Sequence, residues 1–385
     1  MIFLIPLHPF FVEMKQIQMV DLQGQYLKIK DEIDAAMRLV TESARFINGP
    51  EVTDFQSELA LYTGSHRVIT CANGTDALRL ALMALDLQPG DEVITVPFTF
   101  VSTVEVVVAL GLKPVFVDVC PDTFNMNVEQ LEQALTSRTK VILPVHLFGQ
   151  CADMERILKI ARQYNIYVVE DACQSIGAKV HFSDDTVKQA GTMGTIGCTS
   201  FFPSKNLGCF GDGGAVFTQD EYLAEKIKMM ANHGMRDRYY YECIGLNSRL
   251  DALQAAILRV KLKHLDEYIS ARRKAATLYS AYLSNTEFVI PAESSFSTHV
   301  FHQYTIQVEE NSRSAMMENL KEENIPCAIY YPMPIHLQNA YHHLGYKKGD
   351  FPVSETLSKR VLSLPMHTEL SEEQIRHIAN VLINK

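Results

Sequence analysis

The chain is expected to fold as an α/β protein, with a large domain on a mainly parallel sheet and a smaller α+β domain after it. Three observations predict this. Short β-branched runs alternate with helical patterns from Met19 to Glu170, as in sheets covered by helices on both faces. A long helical pattern starting near Ser248 then hands the chain over to shorter elements beyond Pro291. The length of 385 residues exceeds what one simple core normally organises.

In chain order, helical periodicity covers residues 29–46, and residues 68–71 form a short apolar strand. Asn73-Gly74-Thr75-Asp76 leads from that strand into an Ala/Leu-rich helix ending at Leu85. Pro89-Gly90-Asp91 is a turn before a strand at 92–96, which Pro97 ends. A helix at 102–110 and a strand at 114–119 follow, then a helix at 128–135 and a strand at 140–145. A helix at 153–164 and a strand at 166–170 complete this half. The pattern from Ser248 keeps Leu250, Leu253, Ile257, Val260, Leu265 and Ile269 in phase as one helix to Tyr282. Strands at 302–308 and 328–331 and helices at 314–323 and 371–382 close the chain. The expected division is 1–18 as a disordered leader or misassigned start, 19–265 as the large domain and 266–385 as the small one. The apolar opening of the chain lacks a basic n-region and a small-residue cleavage site. A true start at Met14 or Met19 therefore fits better than a signal peptide.

Composition excludes several functions. A hydrophobic content of 47% with 21% charged residues is that of an ordinary soluble protein. A net charge of −10 argues against a nucleic-acid partner, which needs concentrated Lys and Arg. Eight cysteines without a C-x-x-C pair read as reduced thiols of a cytoplasmic protein. No run approaches the ~18 apolar residues of a membrane span. No dinucleotide fingerprint, P-loop or nucleophile elbow is present, and the histidines lack zinc-like spacing, so no metal is expected.

Lys205 carries the chemistry. It lies in Phe201-Phe202-Pro203-Ser204-Lys205-Asn206-Leu207-Gly208, an apolar surround that disfavours the ammonium form. Upstream, the strand Ile166-Tyr167-Val168-Val169-Glu170 delivers Asp171. A lysine that can form a Schiff base and a carboxylate that keeps a pyridine nitrogen protonated together suit pyridoxal phosphate. Gly74 and Thr75 at a helix start could receive a phosphate, and Ser200 could add a hydrogen bond. Phe100, after the strand end at Pro97, could stack on a flat ring. Each feature has a plainer alternative: a loop lysine, a helix cap, a core phenylalanine. Their combination in the order phosphate turn, aromatic, acid, lysine is what singles them out.

These segments resemble the DegT family of sugar aminotransferases. The likeness runs from Gln18 to the C-terminus through Asn48-Gly49-Pro50, Cys71-Ala72-Asn73-Gly74-Thr75-Asp76, Pro89-Gly90-Asp91, Glu170-Asp171-Ala172-Cys173-Gln174-Ser175, residues 200–214, Gly245-Leu246-Asn247-Ser248-Arg249 and Tyr331-Pro332-Met333-Pro334-Ile335-His336. It implies the fold-type I aminotransferase architecture with a seven-stranded sheet. It makes Lys205 the cofactor-bound lysine, Asp171 the partner of the ring nitrogen and Phe100 the stacking ring. Gly74, Thr75, Gln174 and Ser200 would surround the cofactor. Asn247 would reach the cofactor phosphate of the neighbouring subunit, which makes the expected enzyme a homodimer with shared sites. Arg249 would bind the amino donor, L-glutamate, and Tyr331 and His336 would face the sugar nucleotide.

Gly211-Asp212-Gly213-Gly214 resembles members that aminate C3; many that aminate C4 carry Glu in place of the Asp. Residues 200–214 resemble enzymes acting on UDP-2-acetamido-2-deoxy-3-oxo-glucuronate for surface polysaccharide. The alternatives are a dTDP-3-oxo-6-deoxyhexose or a 4-oxo sugar as acceptor, or a pyridoxal phosphate-binding regulator without turnover. Lys205 argues against the dehydratase relatives that have lost this lysine. Arg236 or Arg238 could meet a uronate, against the plainer reading of surface residues.

Overall fold

A computed structural model describes residues 15–384. Its strands are β1 (Arg67–Cys71), β2 (Glu92–Thr95), β3 (Lys113–Phe116), β4 (Thr139–Ile142), β5 (Tyr167–Asp171), β6 (Lys179–His181), β7 (Val187–Gln189), β8 (Ile196–Ser200), β9 (Gly214–Thr218), β10 (Met235–Asp237), β11 (Tyr240–Tyr241), β12 (Tyr304–Gln307) and β13 (Val361–Leu364). The central sheet has seven strands in the order β1-β9-β8-β5-β4-β2-β3. All neighbours pair in parallel except β9, which is antiparallel to both β1 and β8.

Strand alternation explains the two layers that flank it. Val93, Val141 and Val169 face one core, shared with Leu78 and Leu82 of the helix Gly74–Ala84 and Ile227 of the helix Glu221–Ala231. Their neighbours Ile94, Ile142 and Val168 face the other core, with Met154 and Ile157 of the helix Met154–Tyr164. Each such fully buried aliphatic side chain contributes about 1.5–3 kcal/mol.

A further core joins Tyr279, Tyr304, Ile306, Leu362, Leu364, Ile375 and Ile378 behind the antiparallel β12–β13 pair. Residues 335–351 return to the sheet edge, where Ile335, Tyr341 and Phe351 pack on Val104 and Phe116. Buried Asp118 secures that return by accepting from Val353 N, Ser354 N and Ser354 Oγ at 2.9, 3.0 and 2.6 Å. Of the expected leader, residues 1–14 lie outside the described residues. Ile17 is buried in the C-terminal core, and Gln374 Nε2 donates to Lys15 O at 2.9 Å.

Two elements differ from expectation. The long helical pattern is two helices, Ala252–Lys263 and Leu265–Leu283, that meet at His264. Residues 328–331 form no strand; Ala328 makes only an isolated bridge to Ser363.

Candidate active site

β5 ends in two acids with opposite fates, because successive side chains leave a strand on opposite faces. Glu170 turns inward and is completely buried beside His146, whose Nε2 stands 2.9 Å from Glu170 Oε2. His146 Nδ1 accepts from Ala152 N at 3.2 Å, so Nε2 carries the proton and donates. The backbone N–H groups of Gly191 and Met193 also donate to Glu170, at 2.8 and 2.7 Å. This pair satisfies a buried carboxylate and fixes the loop beneath the strand end.

Asp171, 6% exposed, turns to the other face. Thr103 Oγ1 donates to its Oδ2 at 2.8 Å, and Cys173 N donates to its Oδ1 at 3.2 Å. Thr103 spends its one proton on Asp171, so Thr99, 2.9 Å away, must donate to Thr103. The carboxylate is therefore oriented from the helix Ser102–Ala109.

Lys205 is half-buried in the turn after β8, with its N–H donating to Phe202 O at 2.8 Å. Burial pushes its ammonium below the ordinary lysine range, while the Cys173 thiol and Asp171 carboxyl pull the other way. Among the described residues its Nζ has no hydrogen-bond or ion-pair partner. An amine coupled to an acid, yet bonded to nothing, can react with an incoming group.

Six further predicted residues, Gly74, Thr75, Phe100, Gln174, Ser200 and Tyr331, belong to the elements next to this pair. Gly74 opens the helix Gly74–Ala84, capped by Asn73 Oδ1 accepting from Asp76 N at 2.8 Å. The N–H groups of the first turn have no acceptor within the helix. A Cβ at Gly74 would stand 2.7 Å from Ser200 Cβ and 3.0 Å from Cys173 Sγ, so only glycine lets this turn meet the end of β8. Thr75 Oγ1 bonds Ser102 Oγ at 2.7 Å, joining the starts of two helices. Phe100 is 53% exposed, which leaves a ring face open. Gln174 Oε1 accepts from Phe148 N at 2.8 Å and its Nε2 donates to Tyr331 OH at 3.1 Å. The Tyr331 ring lies 6.3 Å from that of Phe100, and burial pushes its hydroxyl pKa up.

Three predicted residues are held by partners other than Lys205 and Asp171. Asn247 is exposed and paired by its backbone with Asn232. Arg249 Nη1 donates to Asn232 Oδ1 at 2.8 Å. Between them Ser248 Oγ donates to Asp76 Oδ2 at 2.7 Å and accepts from Ala72 N at 3.1 Å, which pins the segment to the start of the Gly74 helix. His336 is completely buried, with Nε2 3.1 Å from Glu355 Oε1 and its ring 4.8 Å from Phe351.

Thr103, Cys173 and the Glu170–His146 pair escaped sequence reasoning. Strand parity could have assigned Glu170 to the interior; nothing local marks Thr103, which earns its role only by packing.

The residues present fit pyridoxal phosphate. An unpartnered amine of lowered basicity, an oriented carboxylate, a glycine-lined helix start beside a serine and an open aromatic face are its four requirements. This fold and site define the class of pyridoxal phosphate-dependent enzymes. The chain belongs to the DegT/DnrJ/EryC1/StrS aminotransferase family, whose model matches residues 27–383. It is 44% identical over 368 residues to the UDP-2-acetamido-2-deoxy-3-oxo-D-glucuronate aminotransferase of Pseudomonas aeruginosa, covering 96% of this chain and 100% of that protein. It is 46% identical over 365 residues to a "Pleiotropic regulatory protein" of Geobacillus stearothermophilus, covering 94% of this chain and 96% of that protein. The crystal structure of NtdA from Bacillus subtilis with bound cofactor PMP superposes with a TM-score of 0.86 at 31% identity, covering 96% of this chain and 86% of that one.

Proposed function

We propose that this chain holds pyridoxal phosphate on Lys205 and transfers the amino group of L-glutamate to C3 of a 3-oxo nucleotide sugar. UDP-2-acetamido-2-deoxy-3-oxo-glucuronate is the acceptor we favour, in a cytoplasmic route to surface polysaccharide. The observation that carries this is an unpartnered Lys205 whose basicity burial lowers, together with an Asp171 carboxylate fixed by Thr103.

When bound, pyridoxal phosphate supplies an electron-accepting ring and an aldehyde carbon that can carry an amine. Asp171, its carboxylate oriented by Thr103, would hold a proton on the ring nitrogen. Gly74 and Thr75 offer backbone N–H groups to the phosphate, with Ser200 alongside. Phe100, 53% exposed, would stack on one face of the ring. Lys205 Nζ, its basicity lowered by burial, would take the proton from the α-carbon of glutamate and return one at C3 of the sugar. Arg249 holds the donor carboxylate, and Tyr331, positioned by Gln174, lines the sugar side. The sum is glutamate plus 3-oxo sugar giving 2-oxoglutarate plus 3-amino sugar.

A second chain belongs in the working enzyme. In support, Asn247 is exposed, and Tyr239, Tyr240 and Ile244 near it are 70%, 74% and 87% exposed. A cavity of ≈ 910 Å³ lined by Asn48, Arg67, Arg236, Glu242 and Arg249 adjoins that surface. Arg236 is a candidate for a uronate, although here its Nη2 pairs with Glu242 at 3.0 Å. A cytoplasmic location is supported by eight free cysteines.

The regulatory alternative draws on the name of the Geobacillus stearothermophilus relative. Incubation of purified protein with glutamate and a panel of 3-oxo and 4-oxo nucleotide sugars separates the two. A 3-amino product supports the enzyme; cofactor that stays unchanged by glutamate supports the regulator.

A further inference from the structure

The turn that presents Lys205 is pinned from behind by a second lysine with no part in the chemistry above. Lys261, in the last turn of the helix Ala252–Lys263, is 2% exposed. Its Nζ donates a 2.6 Å hydrogen bond to Gly208 O and lies 5.6 Å from the centroid of the Phe210 ring. Lysines this buried are rare without a paired acid, and none of the ion pairs among the described residues includes it. The titratable groups that face it are the Cys209 thiol and the Arg272 guanidinium.

Gly208 is where the turn closes on itself. A Cβ there would stand 2.3 Å from Pro203 O, so the carbonyl that Lys261 holds belongs to the segment packed directly against the start of the Lys205 turn. Other ties to this loop are neutral, among them Asn206 Nδ2 donating to Val300 O at 3.0 Å, Phe210 N to Gln254 Oε1 at 2.8 Å and Cys209 N to Phe201 O at 2.8 Å. Among the described residues, only the Lys261 bond to this loop carries charge.

We propose that Lys261 is a positioning residue for Lys205, its ammonium fixing the Gly208 carbonyl and thereby the turn that aims Lys205 at Asp171. It rests on the assignment of Lys205 as the cofactor lysine. Burial pushes Lys261 down to about 8, so its charge is present at neutral pH and disappears as pH rises through that value. A neutral amine holds a carbonyl less firmly than an ammonium does. Near pH 8 the turn therefore loosens.

Hydrogen–deuterium exchange of residues 203–208 in the holoenzyme, corrected for intrinsic amide rates, reads this directly. Wild type is expected to lose about tenfold in protection between pH 7 and pH 9. Lys261→Gln, an uncharged donor, keeps the same protection at both pH values, and Lys261→Met is poorly protected at both. In turnover, the wild-type kcat falls over the same interval while KM for glutamate holds, and Lys261→Gln lacks that limb. A wild-type pH response that persists in Lys261→Gln overturns the proposal, as does Lys261→Met protected like wild type at pH 7. Should Lys261→Met not fold, the Lys261→Gln comparison alone decides. Mapping the cofactor to Lys205 in the same samples separates the two claims. An unchanged exchange pattern with cofactor on Lys205 removes only the role of Lys261, whereas cofactor elsewhere removes the parent assignment.

Discussion

Thr103 Oγ1 donates a 2.8 Å hydrogen bond to Asp171 Oδ2, which joins the helix after β2 to the acid that ends β5. Removing a hydrogen bond to a charged group costs about 1.5–3 kcal/mol. Thr103→Val keeps the shape and loses the donor. We expect kcat to fall roughly tenfold or more, with secondary structure unchanged by circular dichroism. Full activity would mean that Asp171 is held by its other contacts.

Asp171→Asn goes further, since the amide cannot keep the ring nitrogen protonated. A loss on the order of 10²-fold or more in kcat is expected, measured at saturating glutamate and sugar. A loss below tenfold would remove the electrostatic role given to this carboxylate.

Gly74→Ala tests the phosphate end. The added methyl would meet Ser200 Cβ at 2.7 Å and Cys173 Sγ at 3.0 Å. Overpacking of this kind costs about 1–3 kcal/mol, and here it pushes apart the two sides of the phosphate turn. Cofactor affinity, titrated by absorbance, is expected to weaken roughly tenfold.

Glu170→Ala should act on stability. It leaves buried His146 and the Gly191 and Met193 N–H groups without their acceptor. Leaving a buried donor without its acceptor costs about 1–3 kcal/mol, which urea unfolding would report as a lower midpoint. An unchanged midpoint would mean that water replaces the carboxylate.

Arg249→Ala separates donor from acceptor. KM for glutamate is expected to rise far more than KM for the sugar. Equal changes would reject the donor-binding role and leave Arg249 as a prop for Asn232, to which it is bonded at 2.8 Å.

Most of the large sheet was legible, because β2, β4 and β5 are buried β-branched runs whose pattern only a covered sheet explains. β8, Ile196-Gly197-Cys198-Thr199-Ser200, was not, since small residues replace that run. A Cβ at Gly197 would lie 2.0 Å from Gly191 O, so tertiary crowding rather than strand propensity chose the residue. The break at His264 was invisible for another reason: Leu265 and Ile269 keep the apolar phase across it. At the site, Lys205, Asp171 and Gly74 could be read from their neighbours. Thr103 and Lys261 could not, because each acts on a residue far away in sequence.

The central claim is that the Lys205 amine holds the cofactor. Borohydride reduction of the holoenzyme followed by peptide mapping tests it most directly. We predict cofactor mass on Lys205 and none retained covalently in Lys205→Ala. Cofactor trapped on another lysine, or trapped equally in Lys205→Ala, would contradict the account.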